Sequence, residues 1–421
     1  MKFPEAPAIL IMGCFDTKAA VFSRLREQVM ASGENVFCIN AGIMGTTDMF
    51  PVDLEAAIVA EYGGLTLQEL RNKKDRGLAL EVMAKGLRKI LSAFSEQNKL
   101  KGVIAMGGGG GTFLALSAMQ VLPLGLPKLC ISTLATKDVS AMVGLKDIVL
   151  IPSVVDVAGL NSIILPIIDQ AAAAIVAMGR VKVTSLKQEK GIIAVSMFGN
   201  TTECVNECTR ILQDKGFEVM AFHANGLGGK TMEALIREGV FDGVLDLTTT
   251  ELADELCGGI LSAGPERLHA AVEMTLPLVL APGCLDMVNF GSKSSVPGKY
   301  KDRLFYQWAP DVTLMRTNEG ENVAMAKQIA VKLNKSRDKS KIRVITPKNG
   351  FSQLDAPGNV FFDKKTTLAF EDTLSRHLDP EIATTQIAAN INEQVFAKAA
   401  VEQLLEILER VKPKYKDLSG F

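Results

Sequence analysis

Short runs of Val, Ile, Leu and Met recur along the chain, each followed by a polar turn rich in glycine or hydroxyls and then by an amphipathic stretch. The runs at residues 8–12, 36–40, 103–106, 128–132 and 147–151 read as strands. They do not alternate apolar with polar, which is the signature of strands covered on both faces. The stretches between them read as helices: one running to about residue 31 and closed by Gly33, one over residues 113–119, and a long apolar one over residues 157–178. Strands alternating with helices predict parallel α/β sheets.

The plan restarts at residue 191. A strand over 191–196 leads into a polar turn, a helix closed by Gly216 and a further strand from Val219. Gly33 and Gly216 stand 183 positions apart, and the same offset lays Gly13-Cys14-Phe15-Asp16-Thr17-Lys18 over Ser196-Met197-Phe198-Gly199-Asn200-Thr201. It also lays Asn40 over His223. Between Gly102 and Gly243 the offset falls to 141, so the first half carries roughly 42 extra residues, within about 48–97, which read as two helices over 53–60 and 66–94. The expected fold is α/β: two doubly wound, Rossmann-like parallel-sheet domains related by internal duplication. They would occupy residues 1–182 and 190–380, joined by the charged stretch 180–190. Residues 381–421 read as a C-terminal region whose long helix, over 380–411, has the length to cross back to the first domain. In open parallel sheets, ligands sit at the carboxyl ends of the strands, so the expected site is a cleft between the two domains.

Composition narrows the classes. A chain of 421 residues exceeds one ordinary core. A net charge of −1 and 6% aromatic residues argue against nucleic acid as the main partner. No apolar run approaches the ~18 residues of a membrane span, and the start Met1-Lys2-Phe3-Pro4-Glu5 lacks the marks of a signal peptide. The seven cysteines are scattered, and Cys204 and Cys208 have no nearby His or Cys to complete a zinc set. No metal-ligand set is expected, and a reduced cytoplasm fits best.

The strongest chemical signal is the run Gly107, Gly108, Gly109, Gly110, Gly111, followed by Thr112, between an apolar strand and an apolar helix. Five residues without Cβ at a helix N-terminus leave bare N–H donors facing outward, a setting suited to phosphate. A flexible linker would not be flanked at once by strand and helix, and a tight turn needs only one or two glycines. The turn Gly13 to Lys18, with Asp16, Thr17 and Lys18, the stretch 40–47 and the stretch 132–137 add hydroxyls and lysines suited to a polyphosphate. Neither the Gly-Lys-Thr ending of a P-loop nor Gly-x-Gly-x-x-Gly is present. The second half has a different character at the corresponding strand ends. Where the first has glycines, it has Thr248-Thr249-Thr250-Glu251, a good helix-capping sequence with an acidic first turn. His223 ends a strand, and with Asp246, Glu251 and Asp286 it forms the candidate acid–base set. Asn225, Asn289 and Arg316 are candidate substrate contacts. His269 and His377 lie in amphipathic surroundings and read as structural, while Ser352 and Asp355 follow a strand over 342–345.

Taken in order, Gly13 to Lys18, Gly107 to Thr112, Phe222 to Gly229, Asp246 to Glu251 and Pro282 to Phe290 resemble the family built on the ATP-binding amino-terminal domain of the tomato mosaic virus resistance protein, over essentially the whole chain. The resemblance implies a two-subdomain α/β protein that binds ATP and forms a homodimer, with nucleotide contacts at the glycine run and at Asp16, Thr17 and Lys18. The plant member's extra carboxy-terminal domain has no counterpart in this sequence, so its antiviral role does not carry over. The expectation is an ATP- and Mg²⁺-dependent enzyme acting on a small carboxylate or carbonyl substrate, with no membrane or nucleic-acid partner. The alternative is a nucleotide-dependent regulatory or interaction protein without turnover.

Overall fold

A computed structural model describes residues 3–181 and 190–411 of the chain. It divides into two compact units, Met1–Thr184 and Ser185–Phe421. Most of the expected junction, residues 182–189, and the last ten residues of the expected C-terminal region, 412–421, lie outside the described residues.

The first unit runs β1 (Ala8–Gly13), α1 (Phe15–Ala31), β2 (Val36–Asn40), α2 (Ala56–Gly63), α3 (Leu67–Lys73), α4 (Arg76–Glu96), β3 (Leu100–Gly107), α5 (Gly109–Met119), β4 (Lys128–Ser132), α6 (Ser140–Val143), β5 (Ile148–Pro152) and α7 (Ile164–Gly179). Its five strands pair in parallel in the order β2-β1-β3-β4-β5. Strand β1 shows why the sequence did not alternate. Ile9 and Ile11 face a core formed with Phe15, Phe22 and Leu25 of α1 and Ile168 and Ile175 of α7, while Leu10 and Met12 face α4 and α5 through Leu87, Leu91, Leu114 and Leu116. Successive strand residues point to opposite faces, and here both faces are dry.

Several boundaries differ from the sequence reading, and α5 begins at Gly109, so three of the five glycines lie inside the helix expected only from residue 113. The insertion holds three helices, because Lys74 takes a left-handed φ of 52° and Asp75 then caps α4 by accepting from Leu78 N at 3.0 Å. The apolar stretch after β5 becomes helical only at Ile164. Asn161 Oδ1 accepts from Ile163 N and Ile164 N there, and residues 153–163 form a loop at the carboxyl end of β5.

The second unit runs β6 (Ile192–Met197), α8 (Thr202–Asp214), β7 (Glu218–His223), α9 (Leu227–Arg237), β8 (Gly243–Thr248), α10 (Thr250–Cys257), α11 (Ala270–Glu273), β9 (Leu278–Gly283), β10 (Met287–Phe290), β11 (Phe305–Ala309), β12 (Val312–Arg316), α12 (Glu319–Leu333), β13 (Ile342–Pro347), α13 (Lys364–His377), β14 (Ala383–Ile387) and α14 (Gln394–Arg410). A six-stranded parallel sheet has the order β14-β13-β9-β8-β6-β7. Counted along each sheet's own strands, the first has the order 2-1-3-4-5 and the second 2-1-3-4-5-6, a common doubly wound arrangement extended by one edge strand. This shared order is a fact of architecture and does not by itself establish a duplication.

The region expected as one long helix over 380–411 instead holds a strand and a shorter helix. Ala383–Ile387 carries two adjacent threonines, suits the open edge of the sheet and pairs with β13. The helix α14 then sets Phe396, Ala400, Leu404 and Ile407 against Ile193, Val195 and Leu245 of its own sheet, so its apolar stripe is used within the second unit. The strand expected at 312–315 belongs to a separate three-stranded antiparallel sheet, β10-β12-β11. Among the described residues, no helix is long and apolar enough to cross a membrane.

Candidate functional site

In the first unit, the glycine run lies beside the point where the strand order reverses, between β1 and β3, the usual ligand position in such sheets. Its glycines serve two purposes. Gly107 is buried, and a Cβ there would stand 2.8 Å from Gly111 Cα, so the strand can turn into the helix only without a side chain. Gly108 is the N-cap of α5 and supplies no side-chain cap, and a Cβ on Gly109 would meet nothing within 4 Å. The first N–H groups of α5 therefore keep their unpaired donors and the positive end of the helix dipole. Around Gly108 the fold gathers oxygen donors from the next two strand ends: from the Cβ position, Thr133 Oγ1 lies at 3.8 Å and Asp156 Oδ1 at 4.0 Å. Lys18, whose φ of −134° interrupts α1, donates its Nζ to the carbonyl of Val157, the residue after Asp156. Nearby, the exposed Val154 holds a φ of 63° inside a tight turn in which Val155 N donates to Ser153 O. Strain of this kind on a β-branched residue needs support from its surroundings.

The remaining first-unit candidates have local structural roles. Thr112 is fully buried and ties α5 to β4, its Oγ1 2.6 Å from Ser132 Oγ. Gly13 is glycine because the Phe22 ring would lie 2.0 Å from a Cβ. Asp16 accepts from Met44 N at 2.9 Å and packs against Gly42, which shapes the loop after β2. Thr17 is exposed. Asp156 carried no signal in the sequence. It follows a strand end, in the stretch Val154-Val155-Asp156 just ahead of the helix expected from about residue 157.

In the second unit, two of the four expected acid–base residues are sealed in one ion cluster. Arg267, fully buried, reaches Asp246 through both terminal nitrogens at 2.6 and 2.7 Å and Glu251 through Nε at 2.6 Å. Ser196 Oγ donates to Asp246 at 2.6 Å, and Gly226 N and Gly229 N donate to Glu251 at 2.8 and 3.1 Å. Glu233 completes the cluster, 3.4 Å from Arg267 and bound to Leu268 N and Ala270 N. Burial opposes the charge on Arg267, but Asp246, Glu251 and Glu233 outweigh it and hold the guanidinium pKa well above its ordinary value. Carboxylates committed in this way have no free lone pair facing a substrate. The threonines before Glu251 do not cap α10 with their side chains: Thr248 bonds Thr201 and Thr249 bonds the Ala281 carbonyl.

Asp286 is likewise buried, accepting from Ser352 Oγ at 2.8 Å. Burial raises its pKa against the opposing pull of Arg316. Burial, reinforced by Asp286, pushes Asp355 up to about 8 although Arg316 lies 3.2 Å from its Oδ1. Arg316 itself binds the carbonyls of Phe361, Asp286 and Thr317, a loop clamp with no free face for substrate. Asn289 donates to Asp254 at 2.7 Å inside the core. Asn225 is exposed and caps Gly228 N at 3.0 Å. Only His223 of the four stays open, at the end of edge strand β7, its ring edge-on to Phe198 with centroids 5.3 Å apart. Sequence reasoning missed Arg267, which sits in the stretch Gly264-Pro265-Glu266-Arg267 and has the composition of an exposed loop.

The two parts of the Uncharacterised protein family (UPF0261) match the two units, its N-terminal domain over residues 7–184 and its C-terminal domain over residues 190–408. This chain belongs to that family. A UPF0261 protein of Clostridium tetani is 41% identical over 403 residues, covering 96% of this chain and 99% of that one. A UPF0261 protein of Mesorhizobium japonicum is 36% identical over 93% of this chain and 97% of its own length. The family reaches plants: the ToMV resistance protein Tm-1(GCR237) of Solanum lycopersicum is 42% identical over 339 residues, which are 79% of this chain but 45% of the tomato protein. The match therefore spans less than half of that relative, and the resistance its name records is a property of the longer protein.

Proposed function

We propose that the first unit binds ATP, with the phosphates on the N-terminus of α5. The observation that carries this reading is the uncapped helix start, where Gly109 faces open space and Gly108 is flanked by Thr133 and Asp156. Lys18, hydrogen-bonded beside Asp156, supplies a cation at the same end of the sheet. Asp156 and Thr133 offer the hard oxygen donors that suit Mg²⁺, which would neutralise the outer phosphates. The protein is read as an ATP- and Mg²⁺-dependent enzyme of small-molecule metabolism acting on a carboxylate or carbonyl compound, with His223 as the exposed acid–base group, and as a homodimer in a reducing cytoplasm.

A second reading, a nucleotide-dependent regulatory protein without turnover, is favoured by one observation: Asp246 and Glu251 are locked to Arg267 and Asp286 is sealed from solvent. Purified protein incubated with ATP, Mg²⁺ and a panel of small carboxylic acids and ketones separates the two. Substrate-dependent release of ADP or AMP is expected of the enzyme. Calorimetric ATP binding without turnover across the panel supports the regulator, and absence of ATP binding overturns both.

A further inference from the structure

The second unit contains a cavity of about 140 Å³ lined by Phe198, Gly199, Asn200, His223, Trp308, Val312 and Leu314. The geometry points to a binding site for an uncharged, flat heteroaromatic ring of one or two fused rings, a site separate from the phosphate-binding end of the first unit.

The size sets the first limit. A dry engineered cavity of about 150 Å³ takes up benzene, so this volume holds a ring system and not a whole nucleotide. The lining sets the second. Three aromatic rings converge on it: Phe198 after β6, His223 at the end of β7 and Trp308 on β11. The rings of Phe198 and His223 are already arranged edge to face at 71°. Aromatic pairs favour offset or edge-on packing, and a flat guest can use the remaining faces. None of the lining residues is Asp, Glu, Lys or Arg, so nothing there selects a charged guest. His223 provides a hydrogen-bonding nitrogen at the rim for a ring N or N–H. Asn200, almost fully buried, forms part of the wall, and among the described residues its Nδ2 has only the Met287 sulfur at 3.7 Å as a hydrogen-bond acceptor.

The backbone is arranged to build this cavity. Between β11 and β12, Gln307 pairs with Thr313 and Ala309 with Val312, so Trp308 is the extra residue of a β-bulge. Bulges commonly re-aim a side chain beside a site. Here the bulge leaves Trp308 half-exposed in the cavity wall instead of in the register of the strand. Gly199 contributes no side chain to the wall, and a Cβ there would make ordinary contact with Trp308 at 3.9 Å.

Trp308 is the single tryptophan of the chain, so its fluorescence reports the cavity directly. Adenine and nicotinamide, titrated with excitation at the red edge of tryptophan absorption, are expected to change it saturably. Fragments of this size reach dissociation constants of about 1 mM or below. Choline, which would bind if the rings formed a cation site, is expected to leave the signal unchanged. Gly199→Leu fills the cavity and His223→Ala removes the rim donor. Each is expected to weaken ring binding at least about tenfold with circular dichroism and Tm retained. The Gly109→Asp variant is expected to keep full ring binding, because it alters only the first unit. The inference is overturned if neither ring gives a saturable change at about 10 mM, if choline binds in their place, or if Gly199→Leu binds as the unchanged protein does. It is also overturned if Gly109→Asp abolishes the response, since the ring site would then not be separate.

Discussion

Gly109→Asp offers the sharpest test of the phosphate site, because its effects on stability and on binding have opposite signs. Gly109 is the first helical residue of α5, its φ is not in the left-handed region, and a side chain there enters open space. An acidic group in the first turn favours the helix dipole by about 0.3–1 kcal/mol, which corresponds to a Tm higher by about 1–3 °C for a unit of this size. The same carboxylate would stand within about 4 Å of a bound phosphate oxygen. Repulsion at that distance is about 1 kcal/mol in water and about 4 kcal/mol at the effective dielectric of a partly enclosed surface. ATP affinity should therefore fall by about fivefold to several hundredfold. Isothermal calorimetry at about 0.15 M salt measures the affinity, and thermal unfolding followed by circular dichroism measures the stability. A variant with unchanged Tm and unchanged ATP affinity would refute the assignment. So would one that loses affinity only in proportion to a lowered Tm.

Other expectations follow from the buried groups. Arg267→Met leaves Asp246, Glu251 and Glu233 without their shared cation and should destabilise the second unit by about 3–5 kcal/mol in denaturant unfolding. The folded state keeps the Asp355 proton up to about pH 8, while the unfolded chain releases it near pH 4. Its contribution is thus fully present below about pH 4 and is lost as pH rises through about 8, and Asp355→Asn should flatten that part of the Tm–pH curve. Gly13→Ala forces a methyl into the Phe22 ring and should cost about 1–3 kcal/mol in the same unfolding assay, which marks Gly13 as a packing residue.

Much of the architecture could be read along the chain. Apolar strands without alternation required sheets covered on both faces, and β1 shows the cause in Ile9 and Ile11 on one face and Leu10 and Met12 on the other. The restart at residue 191 marked the second unit, and the glycine run marked an open helix start, because missing side chains are visible in a sequence wherever the backbone goes. Boundaries were harder to read. The break at Lys74 and the strand at Ala383–Ile387 depend on one left-handed residue and on an available sheet edge.

The chemistry of the second unit could not be read this way. Asp246 lies near the carboxyl end of β8 and Glu251 in the first turn of the helix that follows, where active-site carboxylates occur, yet Arg267 from a later loop binds both and removes them from solvent. His223 gained its cavity from Trp308 and Leu314, about ninety positions further on and displaced by a bulge. The sequence by itself determined most strands of the two parallel sheets and the place of a turn without side chains to cap it, since those depend on local pattern and on the absence of atoms. The tertiary structure alone decided which polar groups are sealed and which stay open. Burial and ion pairing arise from contacts between distant segments, and a carboxylate's neighbours in the chain do not say whether a guanidinium will fold against it.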